Sequence, residues 1–146
     1  MPKYKNIKSV AHNFGYSFLS DMNLGGTWPD IVMVPDVIYQ AARASGEPLV
    51  RIDFFRQTVE PSAVATDIVL EAVGHYARGL PSLLESQSVL PAMVTGAELT
   101  LHFNFEGSRP ARDVAGREVP VVECVVRLTD DRGIVHEGHP AHWCYR

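Results

Sequence analysis

Near the end of the chain stands His136-Glu137-Gly138-His139-Pro140-Ala141-His142-Trp143-Cys144, with three imidazoles and a thiol inside nine residues. Imidazole nitrogen and thiolate sulfur are the donors that tetrahedral zinc prefers, so His136, His139, His142 and Cys144 are the candidate metal ligands. Their spacing matches none of the common zinc signatures, and Gly138 and Pro140 leave the local geometry open. A polar terminal strand that happens to carry histidines explains the same residues. It is the stronger reading, because donor type is satisfied here while geometry is not.

A second grouping lies at Asp67, Glu71 and His75, three residues at successive steps of four, with Arg78 following. On a helix they share one face. A carboxylate beside an imidazole holds the ring's tautomer and raises its basicity, which is what general acid–base chemistry needs. A solvated helix face looks the same, and such pairs are common enough to make it the stronger reading. His102 sits among Glu98, Thr100, Asn104 and Glu106, a polar row that is either wet surface or a recognition surface. Trp28, beside Pro29 in a glycine-rich turn, is the best single aromatic anchor for a partner. Arg109 and Arg112 lie with Arg117 in a polar connection from Gly107 to Arg117, interleaved with Glu106, Asp113 and Glu118.

Absent motifs narrow the field. The chain has no phosphate-cradling Gly-x-x-x-x-Gly-Lys-[Ser/Thr], no Gly-x-Gly-x-x-Gly, no His-Glu-x-x-His and no Cys-x-x-Cys. No Gly-x-Ser-x-Gly elbow marks a serine nucleophile. No cofactor is implied, and catalysis is neither assigned nor excluded, since catalytic residues also converge only in three dimensions. A net charge of -4 weighs against nucleic acid, whose phosphates demand a basic surface. No run approaches the roughly 20 apolar residues that span a bilayer. The first residues, Met-Pro-Lys-Tyr-Lys-Asn, lack the apolar core of a signal peptide. Two cysteines are too few for a disulfide framework, and Cys124 falls in an apolar run as a small core residue. A cytoplasmic protein with reduced thiols follows.

The elements that position these residues come from hydrophobic period. Glu98 to Glu106 alternates without fault, with Leu99, Leu101, Phe103 and Phe105 on one side, which predicts a half-buried strand. Val119 to Thr129 is a second strand. The turn Asp130-Asp131-Arg132-Gly133 leads to a third at Ile134–Glu137, giving a three-stranded antiparallel meander. Residues 6 to 22 fit both periods, but the helical stripe Ile7, Val10, Ala11, Phe14, Phe18 and Met22 explains more of them. Asn23 to Asp30 is a turn, and 31–34 is a short apolar strand. A helix is expected from Pro35 to Ser45, capped by Gly46. Val50, Ile52 and Phe54 form a strand broken at Glu60-Pro61. A further helix starts at Thr66 or Asp67 and is expected to stop at Gly79 and Pro81, with a short turn through Leu84. Residues 86–95 read as loop.

A chain of 146 residues is one ordinary domain, burying roughly 70% of the surface its unfolded form exposes. The order of elements predicts an α+β two-layer sandwich, a mostly antiparallel sheet with two to three helices on one face. The favoured function is a non-catalytic protein-interaction domain of immunity, adaptor or accessory type. It binds a protein partner through the polar sheet face or the 107–117 connection, and homodimerisation through that face stays open. The alternatives are a small-molecule-binding protein or enzyme using His75, His102, Glu71 or Asp67, and a metal-binding domain using the C-terminal histidines.

Overall fold

The computed structural model describes residues 6–23, 32–105, 111–112, 118–119, 122–139 and 142–145. Its centre is the pairing of β4 (Val94–Phe103) with β7 (Val122–Asp130), antiparallel from Gly96 opposite Thr129 to Phe103 opposite Val122. Ala97, Leu99, Leu101 and Phe103 meet Leu128, Val126, Cys124 and Val122 on one side of this pair, and all eight are buried. On β4's other flank lies β2 (Leu49–Asp53), which pairs in turn with β3 (Thr58–Glu60). On β7's flank lies β8 (Val135–Gly138), so the antiparallel sheet runs β3-β2-β4-β7-β8. Two small pairs lie outside its hydrogen-bonded ladder. β1 (Val32–Pro35) pairs parallel with β9 (His142–Tyr145), and β5 (Ala111–Arg112) pairs antiparallel with β6 (Glu118–Val119).

Three helices, α1 (Ile7–Asn23), α2 (Asp36–Ser45) and α3 (Asp67–Ser86), complete an α+β fold. The stripe read at 6–22 is indeed a helix: Ile7, Val10, Ala11, Phe14 and Phe18 are all buried. Asn6 starts it, its side-chain oxygen accepting from the Lys8 N–H at 2.9 Å. On α3 the buried stripe is Val69, Val73, Tyr76, Leu80 and Leu84, and Thr66 caps the helix by accepting from the Val69 N–H. Phe14 and Phe18 of α1 meet Phe54 and Tyr76 edge-on, at centroid separations of 4.8 to 5.3 Å. Such pairs contribute about 0.5–1.5 kcal/mol each beyond burial. The Tyr76 hydroxyl donates to the Phe14 carbonyl at 3.1 Å, so the phenol is satisfied where it is buried.

Several expected boundaries move, each for a physical reason. α3 does not stop at Gly79 and Pro81 but runs through both to Ser86. An interior proline costs about 3 kcal/mol. Leu80 and Leu84, at about 1.5–3 kcal/mol each for burial, offset it while Pro81 stays on the exposed side. The strand expected through Phe54 is a hairpin of β2 and β3. Its turn uses neither Gly nor Pro: the Asp53 carboxylate accepts the Phe55 and Arg56 N–H groups at 2.9 and 3.0 Å, and Gln57 takes φ +54°. α2 begins at Asp36, because Pro35 closes β1. β4 starts four residues before the alternation becomes strict and ends at Phe103, and the preceding loop holds a short 3-10 turn, Pro91–Met93. The second strand begins at Val122 and not at Val119, which belongs to β6.

Where α1 crosses β8 the backbones nearly touch. A Cβ on Gly138 would lie 2.4 Å from the His12 nitrogen, so only glycine fits. Gly79, by contrast, has open space where its Cβ would be. Gly138→Ala is expected to destabilise the fold by about 1–3 kcal/mol through overpacking. Gly79→Ala is expected to stabilise it by about 0.5–1 kcal/mol. Urea unfolding of both variants checks the pair of signs.

Candidate functional site

Strand alternation places one set of residues against the helices and the other set outward. Across β2, β4, β7 and β8 the outward set forms registered rows. Asp53, Glu98, Arg127 and Glu137 make one; Arg51, Thr100 and Val125 the next; Leu49, His102 and Glu123 a third. His102 and Glu123 are exposed, Leu49 is 42% exposed, and no helix of the described residues covers them. The sheet therefore has a dry face and a bare one, as antiparallel sheets commonly do.

Charges on the bare face are tied to one another. The Glu98 carboxylate meets Arg51 Nε at 3.3 Å and Arg127 Nη1 at 3.8 Å, and accepts from the Thr100 hydroxyl at 3.2 Å. Arg127 Nε donates to Glu137 at 2.8 Å, and His139 Nε2 stands 3.5 Å from the other Glu137 oxygen. The hydrogen bond from Arg127 holds the Glu137 carboxyl below its usual range. Arg51, Glu98, Arg127 and Glu137 thus form a ladder of alternating sign across the sheet, with His139 at its end. Thr100 is 8% exposed although it points outward, because Arg127 and Glu98 close over it. Beside the ladder, Arg51, Asp53, Arg56, Thr58, Glu60 and Glu98 line a shallow depression of about 270 Å³.

The sequence candidates are dispersed over the fold. Asp67, Glu71 and His75 are all exposed on α3, and His75 borders an open depression of about 280 Å³ between α1 and α3. His102 lies on the bare sheet face, so the structure does not bring His75 and His102 together. His136 and His139 are also apart. His136 is turned to Asp130 at 2.9 Å, while His139 is turned to Glu137. His142 and Cys144 belong to β9, opposite Val32 and Val34 of β1. Among the described residues no group of three or more His, Cys, Asp or Glu is placed to hold a metal. Arg112 is in β5; Trp28 and Arg109 lie outside the described residues, as do the turn at 24–30 and most of the 107–117 connection. Cys124 is buried in β7, and burial pushes its thiol up, with Glu123 adding to the effect. It is a core residue and no nucleophile.

One histidine escaped sequence reasoning. His12 of α1 lies with Lys8, Ser9 and Asn13 along an open groove of about 490 Å³, facing Glu137 and His139 beyond β8. Partial burial, then the nearby His139, lowers its pKa. Nothing local marked it: it sits beside the apolar stripe of an amphipathic helix, and only the crossing at Gly138 makes it a neighbour of His139.

The shortest acid–imidazole contact serves the β7–β8 turn. Asp130 is 1% exposed and accepts from the Arg132 and Ile134 N–H groups, both at 2.9 Å, from Arg132 Nη2 at 3.2 Å and from His136 Nε2. Gly133 completes the turn at φ +81°. A carboxylate so fully engaged organises backbone and is a poor base. Against known protein families, curated proteins and solved structures, the chain finds no match.

The hydrogen bond from His136, with those from Ile134 and Arg132, outweighs burial and holds the Asp130 carboxyl far below its usual range. A carboxylate depressed on folding adds stability above its unfolded pKa, about 3.9, and loses it as pH falls toward the folded value. Stability is therefore expected to fall below about pH 4, and Asp130→Asn to flatten that part of the profile while lowering stability at pH 7. Denaturant midpoints across pH 2–7 for both proteins check it.

Proposed function

We propose that this is a non-catalytic protein-interaction domain, of immunity, adaptor or accessory type, that binds a protein partner through the bare face of its sheet. The observation that carries this reading is the face itself: five strands wide, uncovered by any helix of the described residues, with Arg51, Glu98, Arg127 and Glu137 paired to one another across it. A preordered, mixed polar and apolar surface of this kind suits a partner of matching pattern. The depressions on the described surface are open and shallow, whereas ligand sites bury most of what they bind. A cytoplasmic setting is part of the proposal. No helix among the described residues is long and apolar enough to cross a membrane.

The groove beside His12 and His139 favours a second reading, a small-molecule site, since its volume lies within the usual range for ligands. Its wide mouth ranks it lower. A photo-crosslinking side chain placed at His102, and separately at Arg78 on α3, separates the readings. In the source cells the His102 position is expected to give a defined protein adduct and the Arg78 position none. Equal labelling at both, or no protein adduct at His102, would sink the interaction reading.

A further inference from the structure

We infer that the partner of the bare sheet face is a protein with a basic surface, whose lysine and arginine side chains dock on the carboxylates that the charge ladder leaves over. The inference rests on the interaction reading above and names the chemistry of the partner. Its basis is a charge count that the register makes possible. Residues directly opposite each other across a strand pair share a face. Glu60 of β3 is therefore on the bare side with Arg51, and Glu137 of β8 is there with Arg127. Among the described strand residues the outward carboxylates are Asp53, Glu60, Glu98, Glu123 and Glu137, and the outward guanidiniums are Arg51 and Arg127. Five against two leaves an excess of three negative charges, which Arg56 of the β2–β3 turn, at the rim, lowers to two. The whole chain carries a net charge of -4, so half or more of it is gathered on this one face.

The ladder ties up four of these groups, Arg51 with Glu98 and Arg127 with Glu137. Asp53 accepts from the Phe55 and Arg56 N–H groups, which orient its carboxylate without cancelling its charge. Glu60 and Glu123 are exposed, and no lysine or arginine of the described residues pairs with either. Their places are set by the strands. Glu60 and Glu123 are three strand spacings apart and two residues out of row, about 16 Å between backbones. Asp53 and Glu60 border the depression of about 270 Å³, whose wall also holds Arg56 and the Arg51 already tied to Glu98. Leu49, in the same row as Glu123, offers exposed apolar surface to the stem of a long cationic side chain.

Other occupants fit this count poorly. A nucleic acid or an anionic membrane would bring phosphates against the excess. A second copy of the chain would bring the same excess of carboxylates to the contact. A basic protein surface is attracted to all of the uncancelled charges at once, and is steered to them at low ionic strength.

The test sets a defined cation beside the cellular partner. Amide shifts of isotope-labelled protein are followed as tetralysine is added at low and at high salt. The proteins are the wild type, Glu60→Gln/Glu123→Gln and, as a control of equal charge, Glu71→Gln/Glu85→Gln on α3, each checked for native circular dichroism. Shifts are expected to be confined to β2, β3 and β7, to need about tenfold more tetralysine in Glu60→Gln/Glu123→Gln, to be unchanged in the α3 variant and to vanish at high salt. In the source cells the protein crosslinked from the His102 position is expected to carry lysine and arginine at the linked surface. The yield of that adduct is expected to fall in Glu60→Gln/Glu123→Gln and to hold in the α3 variant. Tetralysine shifts equally strong on α3, equal tetralysine binding by the two variants, or an adduct yield unchanged in Glu60→Gln/Glu123→Gln would overturn the inference. A His102 adduct to a second copy of the chain would do so too. The interaction reading survives all of these; it falls, and this inference with it, if His102 gives no protein adduct.

Discussion

Everything in this molecule depends on the pairing of β4 with β7. Once these two strands are in register, the period of two divides their side chains between two opposed environments. The inner set is almost entirely aliphatic and aromatic and is sealed by α1 and α3. The outer set then has no helix to answer to, and its long polar residues satisfy one another across the strands. A slip of one residue would put Glu98 and Arg127 into the core, so burial on one face fixes the order of charges on the other. The ladder is for this reason more than decoration. Exposed ion pairs add little to stability taken singly, but here the register fixes the order in which they stand.

The layers of the fold were legible in the sequence because they follow from period. The strict alternation at Leu99 to Phe103, the stripe from Ile7 to Phe18 and the turn ending at Gly133 each reported a local preference that the tertiary structure left intact. Where reading failed, a tertiary term had outweighed a local one. Pro81 is a helix breaker by propensity, yet Leu80 and Leu84 lie on a stripe already committed to the core, and the helix continues past it. The β2–β3 turn is invisible to a search for Gly and Pro because a side chain, Asp53, does the work those residues usually do. The parallel pairing of β1 with β9 joins segments more than a hundred residues apart, and no local pattern announces such a contact.

Candidate chemistry was legible only as inventory. Six histidines suggested imidazole clusters, and three within one C-terminal stretch suggested a metal. In the fold, strand alternation sends His136 inward to Asp130 and Glu137 outward to Arg127. Neighbours in sequence thereby became strangers in space. The converse happened at His12, which spacing could not connect to His139 because the connection is a helix crossing that requires glycine at 138. Of the sequence candidates, His102 gained most from the structure, since its opposite number, Glu123, is fixed by register and could not be chosen from sequence.

The argument for an interface rests on how the ladder arranges its charges. A catalytic or small-molecule site draws on groups held in tension: buried charge, displaced pKa, converging polar atoms in a closed space. The perturbed carboxylates here are perturbed by relaxed contacts, Asp130 by its own turn and Glu137 by Arg127, and both are favoured in their ionised forms. Such groups have little drive to exchange protons. They do present fixed charges of known sign at fixed spacing, which is what a second surface needs in order to recognise the first.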